Sequence, residues 1–345
     1  MKCVKNFLVL VAAMLLSAAS AQAEILYSVT DLGSVGSGSQ VLGISASGQV
    51  VGFGSTGALH WDGTQLNNLG AFGFSGGYNA VAYDVNDSGH VLGYYVKSGV
   101  GYTVLRSGES TSSLFTGEGH AINNAGQVAG ATNAGEPCFY EPGVGLTTLP
   151  SLGGGLGRGI NASGQVAGET GGHIASWTNG ILQDLGTGAA FGGTSGFANG
   201  LNDAGQIVGA FYANGQARAW LWSNAAETNL HPLIDDGSWT STYAKSINSS
   251  GQVVGLGLLG GAWRGFLYSN GEGTDLTALI DPASGVTVVN QAAAINDFGQ
   301  IAARGVIGGS EHFLLLSPIP EPSTFVLLAG GLVCLLGYAR RRYHR

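Results

Sequence analysis

INNAGQVAG, residues 122–130, decides how this chain folds, because six near-copies of it stand elsewhere in the sequence. They are ISASGQVVG (44–52), VNDSGHVLG (85–93), INASGQVAG (160–168), LNDAGQIVG (201–209), INSSGQVVG (247–255) and INDFGQIAA (295–303). Their central glycines, Gly48, Gly89, Gly126, Gly164, Gly205, Gly251 and Gly299, are spaced by 41, 37, 38, 41, 46 and 48 residues. A repeat of roughly 40 residues is the signature of a propeller or a solenoid.

The chemistry of the nine residues predicts a hairpin. An Asn at the first turn position can bond its own backbone two residues on. The Gly falls where a type I turn with a bulge needs a positive φ. Apolar residues flank the turn on both sides, so each copy reads as strand, tight turn, strand.

Two more strands follow in each period. One is aromatic and apolar: ALHW (58–61), YTVL (102–105), CFY (138–140), IASW (174–177), AWLW (219–222), GFLY (265–268) and HFLLL (312–316). The other is short, as in QLNNLG (65–70) and ILQDLG (181–186). Four strands per period make a propeller blade. The expectation is an all-β, seven-bladed β-propeller of four-stranded blades over residues 24–317. The last period supplies only three strands, and YSVTDLG (27–33) has the form of ILQDLG. The N-terminal strand is therefore predicted to close the last blade and remove exposed sheet edges.

The ends are different in kind. Residues 1–23 join a Lys-containing start to an apolar run and to Ala21-Gln22-Ala23. That is a secretory signal peptide, with signal peptidase cutting after the small residues Ala21 and Ala23. At the other end Pro320-Glu321-Pro322 precedes an apolar stretch, then Arg340, Arg341, Arg342 and Arg345. Residues 323–339 would make a helix of roughly 25 Å, at the lower limit for a transmembrane span. The arginines would hold its end in the cytoplasm.

This order resembles the PEP-CTERM sorting signal of Gram-negative bacteria, so residues 318–345 are expected to be a sorting domain. The resemblance implies recognition by an exosortase and loss of the anchor near the Pro-Glu-Pro. The product would reach the cell surface or extracellular matrix, with exopolysaccharide or a surface protein as partner. The inner membrane would then hold only a transient precursor. The repeats also resemble the HAF family of extracellular repeats, with His173 and His312 at its His position. That resemblance implies export and a propeller-like fold, not an activity.

Composition excludes several classes. Cys3 and Cys334 lie in the end segments, so Cys138 has no partner for an internal disulfide. Residues 24–319 carry 7 Lys+Arg against 20 Asp+Glu, a poor balance for nucleic acid, which needs a basic face. The seven histidines show no metal-ligand spacing. Neither a nucleophile elbow nor a P-loop occurs. The Asn-Asp-x-Gly turns lack the alternating acids and distal Glu of a calcium loop. No cofactor and no metal is expected.

A binding face can still be placed. The residue two before each turn Asn is small except at Asp84: Gly43, Ala121, Gly159, Gly200, Ser246 and Ala294. The residue three before it varies and is often polar: Leu42, Tyr83, His120, Arg158, Asn199, Lys245 and Ala293. This second set should ring the channel mouth. Tyr83, His120, Arg158, Asn199 and Lys245, with Trp239 from a neighbouring loop, are the candidate ligand face. Trp61, Trp177, Trp220, Trp222 and Trp263 are read as packing between blades. The role expected is non-catalytic binding or structure. The alternative is a hydrolase or lyase of polysaccharide, which would need Asp84 and Asp235 or Asp236 within ~5–10 Å of each other.

Overall fold

The seven copies fold as hairpins of the predicted kind. In each, the first turn residue donates its N–H to the carbonyl four residues on, as Asn123 does to Gln127 (3.1 Å), and accepts from the Gly N–H, as from Gly126 (3.0 Å). The turn glycines all have positive φ, from +74° to +81°. The description comes from a computed structural model and covers residues 27–234 and 238–319. The signal segment, Asp235 and Asp236, and the sorting residues Pro320, Glu321, Pro322, Arg340, Arg341 and Arg342 lie outside the described residues.

The strands pair antiparallel into sheets that follow chain order. Five sheets have four strands. Four of them span residues 40–70, 155–186, 195–229 and 239–275. The fifth combines Val286–Ile295, Ile301–Ile307 and Ser310–Pro318 with the N-terminal strand Tyr27–Ser34. The two extremities of the described chain thus share one sheet, and Ser28 Oγ donates to Ser317 O at 3.1 Å.

The expectation of seven separate four-stranded blades is corrected here. The second and third repeats are fused into one seven-stranded sheet over residues 78–148. The cause is the single strand Ser110–Ile122, 13 residues long. Its first half pairs back onto Tyr102–Ser107, and its second half pairs forward onto Val128–Thr132. The glycine spacing between these two repeats, 37 residues, is the shortest in the chain. The next spacing, 38 residues, still breaks at residues 149–154, so the difference lies in the longer strands Val91–Lys97 and Val100–Ser107, which use up the connection; Thr116–Gly119 stays extended, with Gly117 at φ +139°. The predicted C-terminal transmembrane helix is likewise no part of the described fold. Among the described residues no helix is long and apolar enough to cross a membrane, and residues 323–339 lie outside them.

The turns themselves close the ring. In six of them an Asn Oδ1 accepts the N–H four residues on, at 2.9–3.0 Å. The same side chain's Nδ2 donates to the carbonyl of the next repeat's first turn residue. The chain of bonds runs Asn86 to Asn123, Asn161, Asn202, Asn248, Asn296 and Ser45, at 3.0–3.3 Å. Ser45 breaks the series, because its hydroxyl serves Gln49 N and Ser47 Oγ instead. These Asn side chains are buried, and each would be costly there without partners.

Apolar packing lies between successive sheets. Ile174 and Leu185 meet Ile207, Phe211 and Trp220, for example. Leu32, Val41, Val50 and Leu59 meet Ala302, Phe313 and Leu315 across the closing junction.

Candidate functional site

Every inner strand slips register at the same place, three residues before the first turn residue, and three of the strands slip elsewhere as well. The residue skipped in the ladder is Leu42, Tyr83, His120, Arg158, Asn199, Lys245 or Ala293. Each is a β-bulge, an unpaired residue whose side chain is re-aimed by the local bend. The repeat's own last glycine makes room for it. A Cβ on Gly209 would stand 2.0 Å from Phe197 O, and one on Gly168 1.9 Å from Leu156 O. Only the last repeat has Ala there, Ala303.

The bulges bring all seven variable residues into one axial cavity of about 170 Å³. Tyr83, His120, Arg158, Asn199 and Lys245 of the candidate face therefore converge. Trp239 does not join them. It starts its strand buried, edge-on to Phe266 at 6.3 Å, and packs between sheets.

Most of the converged side chains already have partners. The Tyr83 hydroxyl donates to Glu118 Oε1, and His120 Nε2 stands 3.3 Å from the same oxygen. The His120 imidazole, with the Tyr83 hydroxyl, holds the Glu118 carboxyl below its ordinary range despite burial. Burial and Glu118 together push the Tyr83 phenol up. Arg158 pairs with Glu169 through two bonds of 2.7 and 2.8 Å and lies over the Phe197 ring at 5.3 Å. Asn199 Nδ2 donates to Ala244 O at 2.7 Å. Lys245 makes no hydrogen bond or ion pair among the described residues. Burial, and then the nearby Arg158 charge, lower its pKa to about 8.

Asp84 fills the axis beneath this ring. Its two oxygens accept Val85 N at 2.8 Å and Ile122 N at 3.0 Å. Burial outweighs those bonds and pushes the carboxyl up to about 7. Ser246 Oγ likewise accepts Ile295 N at 3.3 Å, so both side chains tie one repeat to another. On the turn side a second cavity, about 250 Å³, collects Asp84, Asp87, Asp203 and Asp297. The last three are engaged as caps, accepting Ala46 N, Ala162 N and Ser249 N at 2.7–2.9 Å. No group of three or more His, Cys, Asp or Glu that could hold a metal occurs among the described residues.

A third cavity, about 300 Å³, shares Lys245 with the axial one and is lined by Gln40, Tyr243, Leu256, Trp263, Gln291 and Arg304. Sequence reasoning missed it. The available signal was that Gln40, Tyr243 and Gln291 each stand two residues before a bulge, so they repeat in register with it. Trp263, read as packing between blades, is 43% exposed and tilts against Tyr243 at 6.1 Å. A fourth cavity, about 500 Å³, lies among loops of the first two repeats and is walled mainly by glycine, small side chains and backbone.

The HAF-like positions have a plain structural use. His173 pairs with Asp184 at 2.9 Å and His312 with Asp31 at 2.8 Å. Each joins an aromatic strand to its outer neighbour.

Comparison with known proteins adds the following. Residues 318–342 match the PEP-CTERM protein-sorting motif. No curated protein matches the chain. Among solved structures the chain is similar to the extracellular domain of a one-component system from Bacteroides thetaiotaomicron. The TM-score is 0.51 at 11% identity, covering 86% of this chain and 40% of that one. It is also similar to the extracellular domain of a hybrid two-component system of the same organism (TM-score 0.49, 13% identity, 85% and 40% covered). A structural-genomics protein of unknown function from that organism gives 0.40 at 10% identity, with 84% and 76% covered. This chain spans about two fifths of the first two structures, and the likeness to the first is one of fold alone.

Proposed function

We propose that this chain is an exported, cell-surface or extracellular-matrix protein, processed by an exosortase, whose β-propeller binds a polysaccharide without transforming it. The sorting motif at residues 318–342 supports export and exosortase processing. The fold neighbour at TM-score 0.51 is itself an extracellular domain. One observation carries the binding reading. The turns and ladders are nearly identical from repeat to repeat, whereas the residue that each bulge delivers to the axial cavity differs every time. A scaffold that repeats its framework and varies one residue per unit at a common cavity is organised for recognition.

The non-catalytic part of the reading rests on the carboxylates. Both oxygens of Asp84 accept backbone N–H groups, that of Val85 beside it and that of Ile122 in the next repeat. Glu118 is held between Tyr83 and His120. Neither is positioned as a free acid or base. The HAF-type reading of the repeats fits the His–Asp pairs described above.

The test is a glycan-array screen of the chain beside His120→Ala and Leu42→Trp. The first removes a ring side chain, and the second fills the cavity without deleting any hydrogen bond of the turns. Both are expected to lose array binding while melting as the native chain does. Binding unchanged in both would refute the axial face. Release of a cleaved sugar from any bound glycan would refute the non-catalytic role.

A further inference from the structure

We propose that Lys245, Arg304, Gln291, Tyr243 and Trp263 form a subsite for a carboxylated sugar, so that the glycan bound is a hexuronic-acid polymer. This rests on the axial cavity being a glycan-binding face, and narrows it to one chemical class.

Charge is the first observation. Residues 24–319 hold only 7 Lys+Arg among 20 Asp+Glu. Three of those seven, Arg158, Lys245 and Arg304, line two cavities that adjoin at Lys245. Arg158 is neutralised by Glu169, and Arg304 has Glu311 at 3.5 Å. Lys245 has no counter-charge among the described residues, and its ammonium is depressed by burial and by Arg158. A partly buried cation left unpaired is costly unless something brings the anion. In a domain of net negative charge, such local concentration also selects the sign of the ligand.

The second observation is an orphaned acceptor. Gln291 is 6% exposed, and its Nε2 donates to Val41 O at 3.3 Å. Its Oε1 is buried without a donor. A buried side-chain acceptor in that state is destabilising. A hydroxyl entering the cavity, with a small turn of the amide, would meet it.

The third is the aromatic wall. Tyr243 and Trp263 stand 6.1 Å apart with planes at 47°, and Trp263 keeps 43% of its surface exposed. The C–H face of a pyranose, carrying slight positive charge, suits the negative face of such rings. A volume of about 300 Å³ is at the small end for a ligand pocket, which suits one sugar of a chain running along the face. An inorganic anion would satisfy Lys245 but leave the rings without a partner. A neutral glycan would do the reverse. A hexuronate has the carboxylate, the hydroxyls and the apolar face together.

The experiment is calorimetric titration of the full chain in a mild detergent. The probes are oligomers of galacturonate, glucuronate and mannuronate, a neutral galactose oligomer, and inorganic phosphate. At least one hexuronate is expected to bind about tenfold or more tightly than the neutral oligomer. Lys245→Gln should abolish that preference, and Lys245→Arg should keep it. Trp263→Ala should weaken both kinds. Equal affinity for acidic and neutral oligomers, a preference that survives Lys245→Gln, or phosphate binding as tightly as the best hexuronate would each overturn the subsite. If only the preference is missing while neutral binding falls with His120→Ala, the axial face stands and the subsite alone fails. If no glycan binds, both fail. Melting of Lys245→Gln at or above the native temperature excludes unfolding as the cause.

Discussion

Asn202 offers the sharpest test of how the ring is held together. Its buried side chain makes three hydrogen bonds: Oδ1 accepts Gln206 N at 3.0 Å, and Nδ2 donates to Gln206 Oε1 at 2.8 Å and to Asn248 O at 3.0 Å. A net value of about 1 kcal/mol per bond puts Asn202→Ala at roughly 2–4 kcal/mol of lost stability. Nature supplies the control at Ser45, whose hydroxyl still receives Gln49 N at 3.1 Å but reaches no neighbouring repeat. Asn202→Ser should therefore keep the local turn bond and lose the two made by Nδ2, costing roughly 1–3 kcal/mol.

The reverse change, Ser45→Asn, should add the missing link to Asn86 O and return about 1 kcal/mol. The compact unit from Ser28 to Ser317 has an unfolding entropy of about 0.6 kcal/mol/K at ordinary per-residue values. Asn202→Ala should then lower Tm by roughly 5 °C, Asn202→Ser by roughly 3 °C, and Ser45→Asn should raise it by ~1–2 °C. Differential scanning calorimetry reads all three. The two sites share no partner, so the double variant Ser45→Asn/Asn202→Ser should be close to additive. If Asn202→Ala melts within a degree of the native protein, the inter-repeat bonds do not hold the ring and this account is wrong.

Three other outcomes follow from the same geometry. Gly209→Ala, whose Cβ would meet Phe197 O at 2.0 Å and Ala198 Cα at 2.7 Å, should cost at least about 3 kcal/mol in urea unfolding, whereas Ala303→Gly should cost under ~1 kcal/mol. Burial raises the Asp84 pKa to about 7, so the folded state binds more protons than the unfolded one between about pH 4 and 7. Stability from this group is therefore full at low pH and lost as pH rises through that window, and Asp84→Asn should flatten the slope; an unchanged slope would remove Asp84 as its source. Lys245, with its pKa lowered to about 8, penalises the fold most below pH 8 and progressively less towards pH 10. Lys245→Met should accordingly raise Tm at pH 7 by more than at pH 10, and an equal gain at both would point to packing instead.

How much of this was legible in the sequence depends on whether the signal was local. The hairpin turns were, because Asn, Gly and the flanking apolar residues act on their own backbone. The closing sheet was as well, since Tyr27–Gly33 repeats the form of an outer strand. The fused sheet was not. Its trace is a spacing of 37 residues where the others run from 38 to 48, and a difference of one residue does not say whether a strand breaks or runs on. Trp239 misled because its position beside a loop looked like exposure. Its burial against Phe266 is decided by a strand two places along the sheet and not by its neighbours in sequence.

The candidate ring was found for a reason that the structure makes physical. Counting three residues back from each Asn picked out the one position freed from the ladder by a bulge. A paired inner-strand residue is constrained by its cross-strand neighbours and by the next sheet. A bulged one is constrained by neither, so it can be Leu, Tyr, His, Arg, Asn, Lys or Ala without disturbing the fold. The constraint moves to its partner, which has to be Gly where the chains approach closest. The last repeat departs, with Ala303 in place of that Gly. The glycine of the other six repeats therefore permits variation at the axis, and Lys245, the member left without a counter-charge among the described residues, is where that variation departs furthest from what folding alone would choose.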